Sequence, residues 1–182
     1  MTITPQTVDS ITELVNIGAG KAANAMNQLL GSHVKLSIPW VDFKNTGYFD
    51  LRNMTGIQMR FNGEPRGYAQ LLFKNSDIPD LIQGMLGFSL GEIDNSLKDS
   101  ALSEMGNIVI NAIVGSICNM TSSQVIYDVP EIVMGDTGIS RFDDVEKTVM
   151  KAGTEFVFEK LDISAIMLLF VFDSSFLDRV QI

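Results

Sequence analysis

The sequence predicts an α+β fold: a duplicated helix–strands–helix unit with pseudo-two-fold symmetry, whose mostly antiparallel sheet supports two long motif-bearing helices. Three observations lead there. Glu13, Asn16 and Pro39 recur as Glu104, Asn107 and Pro130 at a constant offset of 91 residues. Each half runs from a long stretch of helical periodicity into short strand-like segments. At 182 residues, 46% of them apolar and 19% charged, the chain is one domain of ordinary size with enough material for a real core.

The elements follow in order. Thr4 can cap a helix whose first position is Pro5, where the missing N–H is no loss. Val8, Ile11, Leu14, Val15, Ala19, Ala22, Met26 and Leu29/Leu30 then recur at helical spacing, and Gly31 marks the end. Strand-like runs follow at Val34–Phe43, Ile57–Asn62 and Tyr68–Phe73, the last two joined by the turn Gly63-Glu64-Pro65-Arg66-Gly67. A shorter helix spans Ser76–Met85, with Gly87 beyond it. The second half predicts a helix over Ser96–Asn119, strands at Gln124–Val133, Glu155–Glu159 and Ser164–Phe172, and a short helix from Ser174. The connection from Met134 to Gly153 has no clear pattern.

The repeat extends beyond three residues. Asp9 stands four before Glu13 and Ser100 four before Glu104; Ile17, Ser32 and Val34 match Ile108, Ser123 and Val125. A pattern of Asp/Ser, Glu, Asn and Pro at fixed spacings should arise by chance in well under about one such chain in a hundred. The expected organisation is therefore one domain built from two units, 1–91 and 92–182, joined near Gly87–Asn95.

Composition excludes several functions. A net charge of −9 argues against a nucleic-acid surface and against anionic membranes. Cys118 is the only cysteine and His33 the only histidine, which leaves no internal disulfide and no usual zinc ligand set. A catalytic triad would have to recruit His33, with no evident nucleophile or orienting acid. The first ten residues lack the layout of a signal peptide, and the most apolar run, Ala165–Phe172, is too short to span a bilayer. The expectation is a cytoplasmic protein.

Gly18-Ala19-Gly20-Lys21 invites a nucleotide reading, but a phosphate-binding loop needs G-x-x-x-x-G-K-[ST] after a strand. Here Ala22 follows Lys21, and Val109, Ile110 and Asn111 occupy the equivalents of Gly18–Gly20. The small residues Gly18, Ala19, Ala22, Ala23 and Ala25 instead permit close backbone packing. Glu13 and Asn16, spaced i, i+3, share a helix face that Asp9 and Gly20 extend; Ser100, Glu104, Asn107 and Asn111 form the same line. Asn is a poor helix former, so its place at mid-helix in both copies has a cost without a packing return. A carboxamide accepts and donates hydrogen bonds together, and can hold a water in line with a phosphorus atom. The carboxylate one turn away can pair with a partner's cation. Neither builds a phosphate pocket, so the substrate must carry its own metal and leaving group.

The pattern Asp/Ser-x3-Glu-x2-Asn-x22-Pro, written here as Asp9, Glu13, Asn16, Pro39 and again as Ser100, Glu104, Asn107, Pro130, resembles that of the CheC, CheX and FliY chemotaxis phosphatases. The stretch from Asn16 to Leu30 looks like the family's first helix, and that from Ala101 to Ser116 like its second. The resemblance implies hydrolysis of the aspartyl phosphate on a CheY-like response regulator. Glu13 and Glu104 would engage the regulator's lysine, Asn16 and Asn107 would orient the attacking water, and Mg²⁺ would belong to the regulator, with no cofactor on this chain. Two motif copies look most like CheC, and the length leaves little room for the extra segments of FliY. The resemblance also brings in the receptor deamidase CheD as a partner. The alternative is a non-catalytic adaptor that binds a regulator or CheD.

Overall fold

The computed structural model describes residues 3–43, 50–87, 91, 93–135, 148–173 and 175–180. Helix α1 is Pro5–Leu30. The Thr4 hydroxyl accepts a hydrogen bond from the Thr7 N–H at 3.1 Å, satisfying one of the orphan donors of the first turn. At the other end Gly31, at φ 56°, turns left-handed and donates its N–H to the Asn27 carbonyl. Helix α2 is Ile78–Leu86 and closes on Gly87 in the same way. Helix α3, Asn95–Met120, has the same 26 residues as α1, and its cap is Asp94, which accepts from the Leu97 N–H at 2.8 Å.

Among the described residues eight strands form one sheet: β1 Val34–Leu36, β2 Trp40–Asp42, β3 Met54–Gly63, β4 Gly67–Lys74, β5 Val125–Tyr127, β6 Glu131–Met134, β7 Met150–Phe158 and β8 Ile163–Val171. The order is β1-β7-β8-β4-β3-β5, with β2 also on β7 and β6 also on β3, and the pairings are antiparallel. The halves interlock. The short strands β1 and β2 pair with β7 of the second half, while β5 and β6 pair with β3 of the first. Because β4 and β8 are antiparallel neighbours at the centre, the pseudo-two-fold axis runs normal to the sheet between them. Two helices on one face, related by that axis, run antiparallel.

The main core lies between the helices and the sheet and holds Leu14, Ala19, Met26, Met105, Ile110, Phe61, Phe73 and Phe156. A smaller cluster, including Tyr68, Leu72, Leu168 and Phe170, covers the opposite sheet face. Among the described residues α3 is the one helix long and apolar enough to cross a membrane. Its apolarity has another explanation here: eleven of its residues are buried in the domain.

Sequence and structure differ in places. The single strand expected at Val34–Phe43 is two strands, β1 and β2, and that at Gln124–Val133 is also two, β5 and β6. Each break falls at or just before Pro39 and Pro130, which have no N–H to give a ladder. Strand β7 begins at Met150, five residues before the expected Glu155. The second helix starts at Ile78 instead of Ser76, and the closing helix is a 3-10 turn, Ser175–Arg179. Most of the connection without a clear pattern, 136–147, and parts of the join, 88–90 and 92, lie outside the described residues.

Candidate active site on two helix flanks

The position of the motif follows from how α1 meets α3. A Cβ added at Gly18 would lie 2.8 Å from the Ile113 Cα, closer than real Cβ atoms come, so the two backbones touch there. Gly18 therefore points at α3, and Ile113 lies towards α1. Stepping about 100° per residue round α1, Asn16 lies about 160° and Glu13 about 140° away from the direction of α3. On α3, Asn107 lies about 120° and Glu104 about 180° away from the direction of α1. Each Glu–Asn pair thus sits on the outer flank of its own helix. The structure brings the members of each pair together and sets the two pairs on opposite sides of the helix layer.

Asp9, Glu13, Asn16 and Gly20 are exposed along α1. Ser100, Glu104 and Asn111 are exposed along α3, while Asn107 is half-buried. Their opposite faces are filled by Ile11, Leu14 and Val15, and by Leu102, Met105 and Val109. Ile108, the repeat counterpart of Ile17, is half-buried, as Ile17 is.

The long spacing to proline also has a geometric origin. From Asn16 to Leu30 the helix rises about 21 Å, and the chain from His33 to Pro39 returns about 20 Å at strand rise. Strands β1 and β2 pack beside α1, and by these rises the return places Pro39 about level with Asn16. Pro39 is buried and Pro130 half-buried, and neither carries a polar side-chain group. The residues just before them, Ile38 and Val129, are 88% and 81% exposed. Hydropathy periodicity does not mark these two; the offset of 91 does.

His33 lies on the surface 3.8 Å from Glu159, whose carboxyl is held below its ordinary range by the hydrogen bond from Lys35. Cys118 is buried, and burial pushes its thiol up. Among the described residues no three His, Cys, Asp or Glu side chains cluster to hold a metal ion. A cavity of about 440 Å³ lined by Asp50, Arg52, Lys74 and Glu155 opens on the sheet face away from the helices. The motif itself lies on exposed helix flanks, a shape that meets another protein surface better than it encloses a small molecule.

Comparisons with known proteins bear on these flanks. No family model matches the chain. The CheY-P phosphatase CheC of Bacillus subtilis (strain 168) is 26% identical over 142 aligned residues, covering 71% of this chain and 67% of that protein. The crystal structure of Thermotoga maritima FliY superposes with a TM-score of 0.68 at 18% identity, covering 99% of this chain and 96% of that one. CheX in the CheX–CheY–BeF3–Mg complex of Borrelia burgdorferi superposes at 0.60 with 11% identity, over 87% and 98% of the two chains. In sequence the chain is similar to CheC, and in fold to FliY and CheX. Its fold is shared with both FliY and CheX, so architecture alone does not separate the CheC-like reading from the others.

Proposed function

We propose that this protein hydrolyses the aspartyl phosphate of a CheY-like receiver domain, with one site on α1 and one on α3. The observation that carries the reading is the Glu–Asn pair on each outer flank, exposed on α1 and with Asn107 half-buried on α3, in a chain similar to a CheY-P phosphatase. A flank of this kind cannot enclose a phosphate, so the receiver supplies the phosphoryl group and its Mg²⁺. Asn16 or Asn107 enters the receiver's site; its carboxamide oxygen accepts a hydrogen bond from a water and aims the water oxygen at phosphorus. The new bond forms between that oxygen and phosphorus while the bond from phosphorus to the aspartyl oxygen breaks, releasing phosphate and a carboxylate. Glu13 or Glu104, one turn away, pairs with the receiver's lysine and fixes the register of the two proteins. Asp9 and Ser100 extend the contact, and Pro39 and Pro130 hold the adjacent edge.

The neighbour CheX was crystallised with CheY, BeF3 and Mg, which favours a receiver as partner. The equal lengths of α1 and α3 and the interlocked strands support two units, 1–91 and 92–182. A cytoplasmic location follows from the proposed partner. Binding without catalysis, to a receiver or to CheD, is the alternative. Phosphate release measured with the receiver in large excess separates the two: many turnovers per protein support the phosphatase, and release no faster than that of the receiver alone refutes it.

A further inference from the structure

We infer that Ile38 and Val129 are the apolar anchors by which each flank grips its receiver, so that each site consists of a polar pair on a helix and a β-branched residue on the neighbouring turn. This rests on the phosphatase reading given above and deepens it. A single exposed aliphatic side chain on a protein surface needs no explanation. These two are different in three ways.

First, they occupy equivalent positions, 91 residues apart, directly before the motif prolines. They are also among the most exposed large apolar residues, at 88% and 81%. Second, each is held rigidly on both sides. Ser37 is pinned to β7: its N–H donates to the Glu155 carbonyl at 2.9 Å, its hydroxyl accepts from the Glu155 N–H at 2.8 Å, and its carbonyl accepts from the Thr154 hydroxyl at 3.1 Å. Its counterpart Asp128 is pinned to β3: its N–H donates to the Arg60 carbonyl at 3.0 Å, and its carboxylate accepts from the Asn62 amide at 3.2 Å. The residue that follows in each case is proline, with its fixed φ. Different side chains thus achieve the same immobilisation, and a fixed apolar group loses little entropy when a partner covers it.

Third, the anchors lie on the correct flank. Val34 and Leu36 pack into the helix-side core just before the chain leaves β1 for Ile38, and Val125 and Tyr127 do the same before Val129. By helix and strand rise the return places Ile38 about level with Asn16, and β1 and β2 border α1 while α3 lies over β3, β4 and β6. The occupant is therefore whatever engages the Glu–Asn pair, and on the present reading that is the receiver domain.

The test isolates one site at a time. In an Asn107→Ala background, Ile38→Ser is expected to raise KM for the phosphorylated CheY-like receiver about tenfold, the lower end of what burying such a side chain gives. kcat should stay within twofold, and Val129→Ser in the same background should change neither constant. An Asn16→Ala background should reverse the two roles. Thermal melting should be unchanged in all of these, since both side chains are exposed. If the wild type turns over and Ile38→Ser leaves KM unchanged, the anchor is wrong while the phosphatase stands. If the wild type does not turn over, the phosphatase reading fails and affinity for the Mg²⁺/BeF3-activated receiver decides the anchor. A tenfold weaker complex with the Ile38→Ser/Val129→Ser protein supports it; equal affinity, or no complex with the wild type, overturns it.

Discussion

Replacing Gly18 and Gly20 separately by alanine tests the helix contact that orients both sites. The two glycines are neighbours in sequence and opposites in surroundings. At Gly18 the added Cβ would stand 2.8 Å from the Ile113 Cα and 3.1 Å from its carbonyl oxygen; at Gly20 it would meet nothing within 4 Å. Alanine in a helix interior is worth about 1 kcal/mol over glycine at either position. At Gly18 this gain opposes an overpacking cost of about 1–3 kcal/mol, near the upper end because the obstacle is backbone and cannot rotate away. Gly18→Ala should therefore lose about 1–2 kcal/mol and Gly20→Ala should gain about 1 kcal/mol. For a chain of this length, thermal midpoints should shift by about 2–4 °C for each kcal/mol. Urea unfolding followed by circular dichroism reads both changes. Equal stabilisation by the two substitutions would show that α1 and α3 do not touch at Gly18, and the assignment of opposite flanks would fall with it.

Other consequences are direct. Thr4→Ala removes the cap on the Thr7 N–H and should lower stability by about 1 kcal/mol in the same assay. Burial, with a smaller push from Cys118, raises Tyr127 to about 12. The folded value lies above the ordinary 10, so its contribution is whole below pH 10 and disappears between pH 10 and about 12. Tyr127→Phe should flatten that alkaline limb of a stability–pH curve. Asp50 is lowered to about 2, first by the side-chain hydrogen bond from Arg52 and then by the Arg52 backbone N–H. Carboxyl NMR titration should find it moving up towards the ordinary carboxylate value in Arg52→Ala, with no movement if the pair does not form.

Most of the architecture was legible because helical periodicity, caps and the offset of 91 agree with one another. The ends of α1 at Thr4 and Gly31 could be read from turn chemistry alone. What could not be read was non-local. Nothing in Val34–Leu36 or Met150–Phe158 announces that they pair across the two halves, since register depends on the other strand. The breaks near Pro39 and Pro130 were predictable from the missing N–H, but alternating apolar residues on either side concealed them. After Met150, strand β7 runs through Lys151, Ala152 and Gly153, a polar and small run that becomes strand only because β8 and β2 lie on both sides. The Glu–Asn pairs were visible through their repetition. Their orientation away from each other needed the Gly18–Ile113 contact, and Ile38 and Val129 needed exposure as well as position.

The central claim is that Asn16 and Asn107 orient the water that attacks the receiver's phosphate. It is tested most directly by replacing both with alanine and following phosphate loss from a Mg²⁺-loaded, phosphorylated CheY-like receiver. The account predicts that the single variants each keep part of the acceleration. The Asn16→Ala/Asn107→Ala protein should still bind the receiver but leave its phosphate lifetime at the value without added protein. An undiminished rate in the double variant would contradict the account.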